Sequence, residues 1–252
     1  MAISTPLSET NPPFWTRPNA QVLGYTVANC TLDEAARWCL WATQHPGCRL
    51  LVTLNPEIVV QAQRNTALQA ALAQAELMVA DGVGVVWAAR RSGTPLPERV
   101  PGVDLVSALL AGGGARLSVY FLGAKPGVAE RAAHAAHQRY GIQVAGVQHG
   151  YFQASDTPAI TAAIRASGAN LLLAGLGEGQ ERFLHDHREA LRIPLMIGVG
   201  GTLDVLSGAV KRTPLWTRKL GIEWAYRVGL DPKRWHRFPR LLSFVRLVLS
   251  NR

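Results

Sequence analysis

The sequence predicts an α/β fold: a mostly parallel, Rossmann-like sheet with helices on both faces, followed by a basic C-terminal helical appendage. Three observations predict it. Short apolar runs such as Leu50-Leu51-Val52, Leu77-Met78-Val79-Ala80 and Leu171-Leu172-Leu173-Ala174 recur along the chain, as expected of strands buried on both faces. Each run leads through a polar or glycine turn into a segment of helical character, and no hairpin signals interrupt the succession, so the strands should run parallel. Positive charge is confined to the end: residues 211–252 hold eleven Lys or Arg against two Asp or Glu, whereas the other 210 residues carry fifteen of each sign.

These observations divide the chain into a flexible lead-in over 1–19, an α/β domain over 20–210 and a basic amphipathic appendage over 211–252. A first strand is expected over Gln21 to Val27. Thr31-Leu32-Asp33-Glu34 has the form of a capping box and opens a helix to about Thr43. Strand Leu50 to Thr53 precedes a helix from Pro56 to about Ala75, with the proline in its first turn. Strand Leu77 to Ala80 and helix Gly84 to Arg91 lead to a loop, Ser92 to Pro101. Gly112-Gly113-Gly114 ends the next helix and is no dinucleotide fingerprint, because no strand precedes it.

Further along, strand Leu117 to Leu122, helix Val128 to Tyr140, strand Gln143 to Val147, helix Thr157 to Ala166, strand Asn170 to Ala174, helix Glu181 to Leu191 and strand Leu195 to Val199 follow. His134 and His137 lie at i, i+3 on a helix and are expected to face solvent. In the tail, Trp235, Phe238, Leu241, Leu242, Val245, Val248 and Leu249 recur at helical steps beside Arg234, Arg237 and Arg240. That pattern suits a helix in a membrane interface, or a helix whose apolar stripe packs on the domain.

With 48% hydrophobic and 17% charged residues the composition is globular. Cys30, Cys39 and Cys48 form no C-x-x-C and read as buried free thiols of a reducing compartment. The N-terminal stretch lacks a basic-then-apolar signal pattern, and no apolar run approaches the ~20 residues of a membrane span. The expected location is therefore the cytoplasm. The basic tail predicts an anionic partner, a membrane surface or nucleic acid.

Ligands of open α/β sheets bind beyond the carboxyl ends of strands. Thr53-Leu54-Asn55-Pro56-Glu57 and Ala80-Asp81-Gly82-Val83-Gly84 fall at two such ends, and Asp81 there reads either as a general base or as the cap of the following helix. Arg99 is either a loop arginine in water or a diphosphate ligand, for which its fixed charge and forked donors fit. The turn Gly123 to Gly127 can offer backbone N–H groups to phosphate or be a plain connection.

These stretches, with Glu98-Arg99-Val100-Pro101-Gly102-Val103-Asp104, Val119-Tyr120-Phe121-Leu122-Gly123-Ala124-Lys125-Pro126-Gly127-Val128, Gly150-Tyr151-Phe152, Gly198-Val199-Gly200-Gly201-Thr202-Leu203-Asp204, Arg212-Thr213-Pro214, Glu223-Trp224-Ala225-Tyr226-Arg227 and Asp231-Pro232-Lys233-Arg234, resemble the WecG/TagA/CpsF family of bacterial glycosyltransferases. The resemblance is collinear over roughly residues 20 to 240. It implies an inverting enzyme that moves N-acetylmannosamine or a related sugar from a UDP-sugar donor to a polyprenyl diphosphate-linked N-acetylglucosamine, for a cell-surface polysaccharide or teichoic-acid-type polymer.

On that resemblance Asp81 is the base, Thr53 and Asn55 orient hydroxyls, and Arg99 binds diphosphate. Gly82, Gly102, Asp104, Gly123, Gly177, Gln180, Glu181, Gly200 and Asp204 would line the substrate site. Arg212, Arg218, Arg227, Arg234, Arg237 and Arg240 would meet the lipid acceptor and an anionic membrane on the inner face of the cell membrane. One departure stands out: where the family usually reads Gly-x-Pro-Lys-Gln-Glu, this chain has Gly175-Leu176-Gly177-Glu178-Gly179-Gln180-Glu181, without the Pro-Lys.

No Asp-x-Asp occurs, so no cofactor is expected and no residue is assigned to a metal. A nucleic-acid-binding α/β protein is the rival reading of the basic tail, opposed by its apolar stripe. A nicotinamide-dependent oxidoreductase ranks last for want of the glycine fingerprint. Pairing with copies of the same chain is left open.

Overall fold

The computed structural model describes residues 15–214, 217, 223 and 238–250. Two short strands, β1 (Ala20–Val22) and β2 (Tyr25–Val27), precede α1 (Leu32–Gln44), β3 (Arg49–Leu54), α2 (Pro56–Ala62), α3 (Thr66–Ala73), β4 (Leu77–Ala80), α4 (Val83–Arg91) and α5 (Gly102–Gly113). Then come β5 (Ser118–Gly123), α6 (Val128–Tyr140), β6 (Gln143–Gln148), α7 (Thr157–Ala166), β7 (Leu171–Gly175), α8 (Gln180–Asp186), α9 (Arg188–Leu191), β8 (Leu195–Gly198) and α10 (Thr202–Leu206). A C-terminal helix, Phe238–Ser250, ends the described chain.

Six strands form one sheet in the order β4-β3-β8-β7-β5-β6, and every pairing is parallel. Successive side chains of a strand point to opposite faces, and two cores result. Leu51, Leu77, Val79, Phe121, Leu173 and Ile197 face α1, α5 and α6. Leu50, Val52, Leu54, Met78, Leu122, Leu172 and Met196 lie in the other core, with residues of α2, α3, α7, α8 and the C-terminal helix. This is the doubly covered parallel sheet expected from the apolar runs.

The first strand is corrected to a hairpin. Leu23 and Gly24 both take positive φ, 51° and 87°, the geometry of a two-residue turn whose twist suits antiparallel strands. β1 and β2 pair antiparallel outside the main sheet, and Ala28 N–H donates to Met78 O at 2.8 Å, so the hairpin flanks the β4 edge. The helix expected from Pro56 to Ala75 breaks in two, because Asn65 turns extended and its side chain accepts from Leu68 N–H at 3.0 Å. The helix expected over Glu181 to Leu191 is likewise divided, at His187.

The capping box of α1 forms as expected, with Thr31 and Glu34 exchanging bonds. Cys30 and Cys39 are buried free thiols and Cys48 is half-buried. Burial pushes the Cys30 thiol up to about 12 and raises Cys39 too, so neither is a ready nucleophile.

Tail residues Arg218, Arg227, Arg234, Arg237 and Trp235 lie outside the described residues. Of the apolar stripe, Val248 is buried in the core, together with Phe244, which the stripe did not include, so at Val248 packing on the domain is the correct reading. Phe238, Leu242 and Leu249 on the same helix are exposed.

Candidate active site

The carboxyl ends of β3, β4, β8, β7 and β5 line one edge of the sheet. On the β3–β4 side, Thr53 is buried and its hydroxyl donates to Gly198 O at 3.4 Å. Asn55 follows as the cap of α2, its Oδ1 accepting from Ile58 N–H at 3.1 Å, so the side chain is held in place by the helix it starts. Asp81 N–H donates to Leu54 O at 2.9 Å, which continues the β3–β4 pairing by one residue.

Asp81 does not cap the helix that follows it. Gly82 is the cap residue of α4 and makes no side-chain cap bond. Asp81 Oδ1 accepts instead from Gly102 N–H at 3.2 Å, the first residue of α5, a helix with no cap from its own preceding residue Pro101. The carboxylate thus takes up an orphan donor of a helix 21 residues further on. Val100 N–H donates to Ala80 O at 2.8 Å, so the stretch that carries Arg99 lies against the end of β4, where Asp81 follows.

The glycines here have distinct reasons. A Cβ on Gly82 would stand 2.8 Å from Pro56 Cδ, and one on Gly84 would stand 2.8 Å from Pro56 Cγ and 3.1 Å from Phe244 Cε1. These two glycines make room for protein, the second one for the C-terminal helix. Gly102 similarly admits Thr53, whose Cγ2 lies 3.3 Å from the position a Cβ would take.

On the β5–β7–β8 side the backbone itself forms the wall. Gly123 has φ +130°, and a Cβ there would overlap Gly175 O. A Cβ on Gly175 would lie 2.8 Å from Gly200 O. Three strand ends therefore approach backbone to backbone, which only glycine permits. Gln180 and Glu181, 6% and 4% exposed, sit beneath this wall. Gln180 donates through Nε2 to Glu181 Oε1 at 2.8 Å and accepts from Gly200 N–H at 3.0 Å. Burial raises the Glu181 carboxyl above the usual carboxylate range, against the lowering effect of the Gln180 bond. Gly177 takes φ +73° in the loop that replaces the family's Pro-Lys.

The tail is stitched to this edge by charge. Arg212 pairs with Asp104 in the first turn of α5, which joins two residues expected to bind different substrates. Arg240 pairs with Glu178, placing a guanidinium over the loop that lacks the lysine. Arg99 Nη2 lies 2.6 Å from Glu223 Oε2. Glu223 and Thr213 were missed as site residues; their motif neighbours in the sequence gave the only signal. Glu98, in the same motif as Arg99, accepts from Leu32 N–H at 2.6 Å and so begins α1. Asp204 stands in the first turn of α10. Among the described residues no three His, Cys, Asp or Glu side chains gather as a metal would require, and no helix is long and apolar enough to cross a membrane.

A strand-end crevice with a carboxylate, a guanidinium and a glycine wall suits transfer from a phosphorylated donor. Comparison with known proteins agrees. Residues 20–252 match the model of the glycosyl transferase WecG/TagA/CpsF family. The chain is also 35% identical over 204 residues to the N-acetylglucosaminyldiphosphoundecaprenol N-acetyl-beta-D-mannosaminyltransferase of Bacillus spizizenii, covering 80% of this chain and 79% of that one. Membership sets aside the nucleic-acid and nicotinamide readings: the chain belongs to the WecG/TagA/CpsF family of glycosyltransferases.

Proposed function

We propose that the chain transfers N-acetylmannosamine, or a related sugar, from a UDP-sugar to a polyprenyl diphosphate-linked N-acetylglucosamine, with inversion. The observation that carries this reading is Asp81: a carboxylate fixed by Gly102 N–H at the strand end, beside the loop that brings Arg99. In the reaction, Asp81 removes the proton of the acceptor hydroxyl as its oxygen attacks the anomeric carbon. The bond from that carbon to the UDP oxygen breaks, and the electron pair leaves on the diphosphate. Negative charge grows there, and Arg99 together with backbone N–H groups of the turns that follow Gly123 and Gly177 relieves it, the Gly200 N–H being taken by Gln180.

Thr53, and the amide of Asn55 not used in the cap, orient sugar hydroxyls. Gln180 and Glu181 act from beneath by fixing the Gly200 turn, while Asp104 and Asp204 stand in the first turns of α5 and α10. We infer a metal-independent reaction, since the cationic work falls to arginines. Loss of activity with chelator, restored by Mg²⁺ or Mn²⁺, would contradict this.

The same reading extends to the membrane. The C-terminal helix turns Phe238, Leu242 and Leu249 outward, with Arg240 and Arg246 on it, which suits a helix resting on an anionic surface. Arg212 and the other tail arginines would then meet the lipid diphosphate at the cytoplasmic face. Co-sedimentation with anionic but not neutral vesicles is expected, and equal binding to both would contradict it. Transfer itself is tested by product analysis after mixing the protein with UDP-N-acetylmannosamine and a short-chain polyprenyl diphosphate N-acetylglucosamine: a disaccharide-bearing lipid is expected.

A further inference from the structure

We propose that Glu223 is a positioning residue for Arg99, holding its guanidinium at the crevice ready for a diphosphate. The proposal rests on the reading of Arg99 as a diphosphate ligand. The residues on either side of Arg99 are already held, Glu98 by its carboxylate accepting from Leu32 N–H and Val100 by its own N–H donating to Ala80 O. What remains is rotation of a long side chain, and Glu223 restrains it.

One carboxylate oxygen meets Arg99 Nη2 at 2.6 Å, and the other accepts the Thr213 hydroxyl at 2.6 Å. The Arg99 and Glu223 side chains are 20% and 15% exposed, so the pair is shielded from water on most sides. Thr213 orients Glu223, and Glu223 orients Arg99. Only one nitrogen of the guanidinium fork is engaged by this contact, and the rest of its donors can face phosphate oxygens. Ordering the arginine before the ligand arrives removes an entropic cost from binding. It also makes diphosphate binding depend on a docked tail.

Titration with UDP, and separately with farnesyl diphosphate, tests the proposal and shows which diphosphate Arg99 receives. Glu223→Ala should weaken one of them about tenfold or more and lower kcat/KM by at least as much, because a displaced Arg99 also relieves less charge in the transition state. Glu223→Gln keeps one oxygen to accept from Arg99 and can donate its amide to the Thr213 hydroxyl, reversing that bond, and should bind within about threefold of wild type. Adding Glu223→Ala to Arg99→Ala should cause no further loss, as expected of coupled residues.

Unchanged or tighter binding by Glu223→Ala, or losses that multiply in the double variant, would overturn the proposal, as would failure of the wild type to bind either diphosphate. Should the alanine variant not fold, Thr213→Val, which releases one carboxylate oxygen, should weaken binding about threefold, and no change would count against the proposal. A wild type that binds diphosphate but transfers no sugar would instead refute the proposed reaction and leave this inference standing.

Discussion

The two halves of the crevice are built by opposite means. At the ends of β3 and β4 the chain presents side chains: Thr53, Asn55, Asp81 and, from the adjoining loop, Arg99. At the ends of β5, β7 and β8 it presents bare backbone, with Gly123, Gly175 and Gly200 in close approach. The difference separates two tasks. Proton removal and hydroxyl recognition need specific side chains, whereas a phosphate can be received by N–H groups if nothing stands in front of them. Errors in the two halves should therefore fail differently.

The largest effects sharpen that contrast. Gly123→Ala places a methyl against Gly175 O at a φ of +130° and should cost roughly 3–5 kcal/mol, among the severe values for point changes; thermal unfolding and folded yield would show it. Asp81→Asn keeps an oxygen for Gly102 N–H, so Tm and UDP affinity should stay near wild type while turnover falls by about 10²- to 10⁴-fold, the usual contribution of a general base. A Gly123 variant of normal stability, or an Asp81 variant that loses its fold, would dissolve the distinction.

Phe244→Ala comes next. The ring is fully buried and touches the space that Gly84 leaves, and removing it should cost about 3 kcal/mol or more. Because the loss falls on the docked C-terminal helix, hydrogen exchange over residues 238–250 should accelerate more than over β3 or β8.

Glu181→Gln should have a smaller effect, of opposite sign. A carboxyl raised by burial binds its proton more tightly in the folded chain than in the unfolded one. Its favourable contribution is complete below the unfolded value and is lost as pH rises through the raised folded value. The glutamine variant should accordingly melt higher near neutral pH, by roughly 2–4 °C if about 1 kcal/mol is recovered, and its stability should vary less with pH above the ordinary carboxylate range. Calorimetry across pH checks both. Smallest of all, Arg240→Ala breaks a pair whose Glu178 partner is largely exposed and should cost less than about 1 kcal/mol of stability, while vesicle binding falls more visibly.

How much of this was legible in the sequence follows from how local each signal is. The apolar runs gave the sheet and located Thr53 and Asp81 at strand ends, because burial on both faces leaves an unbroken hydrophobic trace. Thr31 and Glu34 announced their helix through a contact three residues apart. The break at Asn65 was not legible, since no glycine or proline follows Pro56 in its run and only the third dimension makes a second cap useful. Leu23-Gly24 hid a hairpin because leucine is an uncommon residue at positive φ.

Asp81 itself gave two locally equal readings. The contact that separates them, with Gly102, comes from a loop whose path the sequence did not show. Glu98 and Glu178 act across 66 and 62 residues, and Glu223 reaches Arg99 from the tail. Such pairs leave no periodicity behind. Of their partners, Arg99 stood out in a family-like motif and Arg240 in the basic tail, whereas the backbone N–H of Leu32 carries no signal in the sequence.

The central claim is most directly tested by acceptor-dependent UDP release from the purified wild-type protein, given UDP-N-acetylmannosamine with and without a short-chain polyprenyl diphosphate N-acetylglucosamine. The account predicts release that requires the acceptor and collapses in Asp81→Asn. Release indifferent to acceptor, or undiminished by that substitution, would contradict it.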